Sequence, residues 1–109
     1  MSEMVFPDGS YFKCNSRRGV GESMHSHHYH DSFEIYYLSQ GSCHFFIDNR
    51  SYDVSAGDLV LIPEGIIHRT NYGSDEEYAR TVVEFPTSLI PLSVQARPAF
   101  AHLGFVRTS

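Results

Sequence analysis

The sequence predicts an all-β domain built as a closed barrel or a sandwich. Short apolar runs recur from about residue 10 to residue 85, turn residues separate them, and almost none is long enough or suitably periodic for an amphipathic helix. Strands this closely spaced favour closure, because closing or stacking the sheet covers edges that would otherwise template aggregation.

The predicted strands are residues 11–14, 33–38, 43–47, 51–54, 59–62, 67–72 and 78–85. Each separator is turn chemistry: Ser39-Gln40-Gly41-Ser42, Asp48-Asn49, Ser55-Ala56-Gly57-Asp58, Pro63-Glu64-Gly65 and Gly73-Ser74-Asp75. After Phe85 the character changes: Pro86, Pro91 and Pro98 interrupt any long helix, and only residues 99–105 could form a turn or two. Three parts are therefore expected within one domain: an N-terminal arm and first strand over 1–20, a barrel core over 21–86, and a tail over 87–109.

Composition narrows the function. A chain of 109 residues, 41% hydrophobic, can bury one core but is short for two domains. The formal charge is −5 and the eight Lys and Arg residues are scattered, so no basic stripe can neutralise a run of phosphates. Direct nucleic-acid binding by this segment is not expected. Neither a secretory pattern nor an apolar run near the ~20 residues of a membrane span is present, which predicts a soluble, cytoplasmic protein. Cys14 and Cys43 belong to no thiol motif and read as buried, reduced residues.

Histidine is concentrated at Met24-His25-Ser26-His27-His28-Tyr29-His30. In an unbroken strand His28, His30 and Glu34 share parity and project from one side of the sheet. Imidazole nitrogen with carboxylate oxygen suits divalent Fe, Mn, Ni, Co, Cu or Zn, whereas Mg and Ca prefer all-oxygen shells. His68, just beyond the Pro63-Glu64-Gly65 turn, is the expected fourth donor. Three His and one Glu leave one or two positions open for water or substrate. His25 and His27 have the opposite parity and are expected in a solvated loop; His44 and His102 have no assigned role. Tyr36 shares parity with Glu34 and is expected to line the pocket as a ligand-binding residue, together with His30, Glu34 and His68.

These residues resemble the two motifs of the cupin superfamily. The first, G-x5-H-x-H-x3-4-E-x6-G, is matched from His28 through Glu34 to Gly41, with Gly21 one residue early. The second, G-x5-P-x-G-x2-H-x3-N, is matched from Gly57 through Pro63, Gly65 and His68, with Asn71 one residue early. The resemblance implies a small jelly-roll (double-stranded β-helix) barrel and a metal set of His28, His30, Glu34 and His68; the same side chains in this superfamily can also hold a ligand by hydrogen bonds without a metal.

Within that superfamily the stretches 33–41 and 57–63 are most similar to the N-terminal sensing domain of AraC-type transcription regulators. That similarity implies a small-molecule, often sugar-like, effector in the barrel, an arm able to fold over its mouth, and self-association as a homodimer. The DNA-binding part of such regulators has no counterpart after Phe85. The alternative is a free-standing metalloenzyme of isomerase, epimerase or dioxygenase type, which would use the same four residues. A plain carbohydrate-binding module ranks third.

Overall fold

The computed structural model describes residues 2–21, 32–47, 49–73 and 76–95, together with the backbone of 105–106. Nine strands fall in these segments: β1 (Ser2–Val5), β2 (Tyr11–Val20), β3 (Phe33–Gln40), β4 (Ser42–Ile47), β5 (Arg50–Ser55), β6 (Leu59–Ile62), β7 (His68–Tyr72), β8 (Glu77–Phe85) and β9 (Phe105–Val106). They form a six-stranded sheet in the order β1-β2-β8-β3-β6-β9 and a three-stranded sheet in the order β5-β4-β7, with every pairing antiparallel. Among the described residues, helix is confined to a 3-10 turn at Thr87–Leu89 and one α-turn, α1 (Leu92–Gln95). The all-β jelly roll expected from the sequence is thus the fold.

Side-chain alternation builds the interior. Along β4, Cys43, Phe45 and Ile47 are buried while Ser42 and His44 are exposed; along β7, His68, Thr70 and Tyr72 are buried. Because residues opposite one another on paired strands share a face, the registers arrange the inward side chains in tiers. The tier at one end holds Glu34, Ile62 and Glu84 from the large sheet, with Ile47 and His68 paired in the small one. Below it lie Tyr36, Val60 and Val82, with Phe45 and Thr70 opposite. The next tier holds Leu38 and Arg80, with Cys43 and Tyr72 opposite. The continuous apolar cluster runs through the lower tiers, with Tyr36, Leu38, Phe45, Val54 and Val60 each at most 2% exposed. Buried polar groups lie at both ends of this interior: Glu34 and His68 in the first tier, and Asp58, which accepts from the Ser55 amide, beside Leu38.

Turn chemistry fixes these registers. Gly41, between β3 and β4, has φ +88°, and a Cβ there would lie 2.5 Å from the Glu77 carbonyl oxygen. Only glycine satisfies both the left-handed backbone and that approach. Asn49, at φ 67°, turns β4 into β5; among residues with a side chain, Asn tolerates this region best.

Three departures from the sequence expectation have physical causes. Strand β2 runs on through Asn15-Ser-Arg-Arg-Gly-Val20, a stretch without strand propensity, because β8 supplies pairing along it from Lys13↔Glu84 to Val20↔Glu77. Strand β1 was not expected at all; it is added at the edge by pairing with β2. In the tail the helical turns lie at 87–89 and 92–95, whereas Phe105, expected to end a helical turn, pairs with Val60 as a strand. Residues 99–104 lie outside the described segments.

Candidate functional site

His68 opens β7 directly after the Pro63-Glu64-Gly65 turn, where the Ile66 amide donates to the Pro63 carbonyl at 3.4 Å. Glu34 is the second residue of β3, flanked in register by Ile62 and Glu84. The two meet across the interior: His68 Nε2 lies 3.4 Å from Glu34 Oε2, and their side chains are 6% and 7% exposed. The Phe45 ring stacks beside the imidazole at 6.3 Å between centroids, an apolar floor that keeps it from turning inward.

The other ring nitrogen, Nδ1, lies 3.1 Å from the Ile66 carbonyl oxygen. A carbonyl and a carboxylate are both acceptors, so each imidazole nitrogen faces an oxygen that can only accept. A neutral imidazole has one N–H and would leave its lone pair against one of them. With Glu34 ionised, the geometry is satisfied when both nitrogens carry protons, or when Nδ1 keeps its proton and a metal ion takes Nε2; a protonated Glu34 would instead donate to a bare Nε2.

Electrostatics agree. Burial alone would lower the pKa of His68, but the Glu34 contact and charge, the Ile66 carbonyl and the charge of Glu84 outweigh it, and the pKa is raised above the ordinary 6.5. The spacing also suits a coordination shell: two donors bonded at ~2.1 Å and ~90–109° apart are separated by ~3.0–3.4 Å, the separation seen between Nε2 and Oε2. Glu34 and His68 thus fit two adjacent vertices around a borderline divalent ion.

Of the expected ligand set, then, Glu34 and His68 come together. His28 and His30 lie outside the described residues, as do His25, His27 and His102. Among the described residues no group of three His, Cys, Asp or Glu side chains stands close enough to hold a metal ion. His44 faces outward on β4 and pairs with Asp53, Nδ1 to Oδ1 at 2.6 Å, on the surface.

Tyr36 sits one tier below the pair and is 2% exposed. Its hydroxyl shares a 2.8 Å hydrogen bond with the Tyr72 hydroxyl and lies 3.7 Å from Cys43 Sγ, while its ring meets Phe45 edge-on at 4.8 Å. Burial raises the pKa of Tyr36 far above the phenol range and pushes the Cys43 thiol up to about 11. Both stay protonated at neutral pH, so this cluster is a polar seam of the core, and Tyr36 supports the floor beneath His68 through Phe45.

Sequence reasoning missed two residues of the site. Phe45 reads as one more apolar residue of a strand. Glu84, opposite Glu34 on β8, has no motif around it, and only the β3/β8 register reveals its position.

Comparison with solved structures places this architecture among cupin barrels. The chain is similar to a cupin protein from Bacteroides fragilis (TM-score 0.63, 19% identity, 75% of this chain and 70% of that one). It is also similar to a putative mannose-6-phosphate isomerase from Ralstonia eutropha (0.64, 16%, 79% and 86%) and to the Cnp3 cupin domain of Schizosaccharomyces pombe (0.67, 10%, 81% and 61%). These likenesses establish a cupin jelly roll. The family model of the AraC-like ligand binding domain matches residues 11–107, and the chain belongs to that family. Among curated protein sequences none matches. No described helix is long and apolar enough to cross a membrane.

Proposed function

We propose that this domain binds a small-molecule effector at the Glu34–His68 end of its barrel and, within an AraC-type transcription regulator, reports occupancy to a DNA-binding part that this segment does not supply. One observation carries the reading: a buried imidazole–carboxylate pair in which both ring nitrogens meet acceptors. Such a pair is costly to bury without a purpose, since desolvation offsets most of its attraction. It becomes useful when a ligand or cation engages it. Effector binding shifts a regulator only by its difference in affinity for two states, and a pair that changes charge on binding supplies such a difference. Self-association as a homodimer and action in the cytoplasm are part of the proposal; the free thiols Cys14 and Cys43 fit a reducing compartment.

The cation is a divalent first-row metal such as Fe, Mn, Ni or Zn, held by Glu34 and His68 with His28 and His30 completing the set expected from the sequence. When bound, it would supply Lewis-acid polarisation of a ligand oxygen. Glu34 and His68 orient the ligand, and Phe45 excludes water from below. The same donor chemistry favours a second reading, a metal-dependent isomerase, epimerase or dioxygenase.

Elemental analysis and native mass spectrometry of protein purified without a His-affinity step test the proposal. A near-stoichiometric first-row metal or retained small molecule, lost in Glu34→Ala and His68→Ala while circular dichroism stays β, is expected. Retention of the bound species in both variants would overturn it. Turnover of a sugar or acid by the loaded protein would move the assignment to the enzyme reading.

A further inference from the structure

The two segments that carry Glu34 and His68 are joined a second time, by the start of the tail. Phe85, the last residue of β8, stacks its ring on Phe33, which precedes Glu34, at 5.5 Å between centroids. Two residues further on, the Thr87 hydroxyl donates at 2.7 Å to Glu64 Oε2, in the Pro63-Glu64-Gly65 turn that leads to His68. That turn is tied to the imidazole through the backbone, since the Ile66 carbonyl meets Nδ1 at 3.1 Å and the Ile66 amide donates to the Pro63 carbonyl. Beyond Thr87 the chain folds on itself. The Ile90 amide donates to the Thr87 carbonyl, and Gln95 Nε2 donates to the Thr87 and Ile90 carbonyls at 3.1 and 2.8 Å. Neither helical turn buries a residue, so this knuckle can shift without opening the interior.

We propose that the Glu64–Thr87 hydrogen bond is a latch that couples engagement of His68 to the order of the tail over residues 86–95. This rests on the reading of Glu34 and His68 as a binding site. A group held at Nε2 fixes the imidazole, and Nδ1 then keeps its proton and donates to the Ile66 carbonyl. That carbonyl lies two residues from Glu64, in a turn closed by one hydrogen bond at 3.4 Å, at the long end of the range and soft enough to follow the ring. A turn held still presents Glu64 to Thr87 in one place, which lowers the entropy lost when the latch closes. Linkage makes the effect reciprocal: a closed latch raises affinity at His68 by the factor by which binding favours closure. The Phe33–Phe85 stack anchors the tail on the Glu34 strand, so the movement is confined to the residues beyond it.

The test is amide hydrogen exchange of the whole chain, with and without Zn(II), read at the Leu89, Ile90, Val94 and Gln95 amides that close the two helical turns. In the wild type zinc is expected to slow their exchange about two- to tenfold, the range that one hydrogen bond of ordinary net strength supports. Thr87→Val and Glu64→Ala, which remove the donor and the acceptor, abolish the zinc-induced difference, whereas Thr87→Ser and Glu64→Gln, which keep them, retain it. Calorimetric titration with Zn(II) reads the other side of the linkage: Thr87→Val weakens zinc binding by the factor of protection lost. Equal zinc-induced protection in Thr87→Val, or zinc bound by the wild type with no change at these amides, would overturn the latch and leave the site standing. No zinc binding by the wild type, or zinc binding undiminished in both Glu34→Ala and His68→Ala, would overturn the site reading and the latch with it.

Discussion

Removing the Glu34 carboxylate tests the buried pair quantitatively. At 3.4 Å between Nε2 and Oε2, the gross attraction of imidazolium and carboxylate is about 5 kcal/mol at an effective dielectric of ~20. Desolvation of two side chains that are only 6% and 7% exposed cancels much of this, leaving a net coupling of roughly 1–3 kcal/mol. The assay is a double-mutant cycle with Glu34→Gln, His68→Gln and the double variant, by urea denaturation in EDTA at pH 6 and pH 9. The sign follows from the raised pKa of His68: its stabilisation is fully present below the unfolded value near 6.5 and is lost as pH rises through the folded one. Coupling should therefore be large at pH 6 and shrink at pH 9. A coupling below about 0.5 kcal/mol at pH 6, or one equally large at pH 9, would show that the pair is not held by an imidazolium charge.

Other consequences follow from the packing and the turns. Phe45→Ala removes a ring that is 1% exposed and supports both Tyr36 and His68, and should cost about 3–5 kcal/mol in chemical denaturation. Gly41→Ala places a methyl 2.5 Å from the Glu77 carbonyl at a φ of +88°, and should lower the melting temperature by several degrees, whereas Asn49→Gly should not. His44→Ala breaks only the surface pair with Asp53, whose side chains are 60% and 83% exposed, and should leave thermal stability and metal loading unchanged.

The fold was legible where local chemistry and tertiary pairing agree. Strand β6 was expected at 59–62 and is found at Leu59–Ile62, because Gly57-Asp58 and Pro63 bound an apolar run unambiguously. Residues 15–20 were illegible as strand because Asn, Ser, Arg and Gly are held extended by β8 and not by their own preference. The same distinction applies to the site. Glu34 and His68 stand in recognisable spacings, and the structure brings them together. Glu84 and Phe45 belong to it through strand register, a non-local property that a one-residue slip would reverse.

Each ring nitrogen of His68 faces an oxygen acceptor, so each calls for a proton or, at Nε2, a metal ion. Nitrogen-15 spectra of the His68 imidazole at pH 6.5, recorded in EDTA and again with Zn(II), read this directly. The expected ring is protonated mostly on both nitrogens in EDTA, and in zinc it keeps the Nδ1 proton while Nε2 shifts as a metal ligand. A neutral ring with a bare Nδ1 in either sample would contradict it.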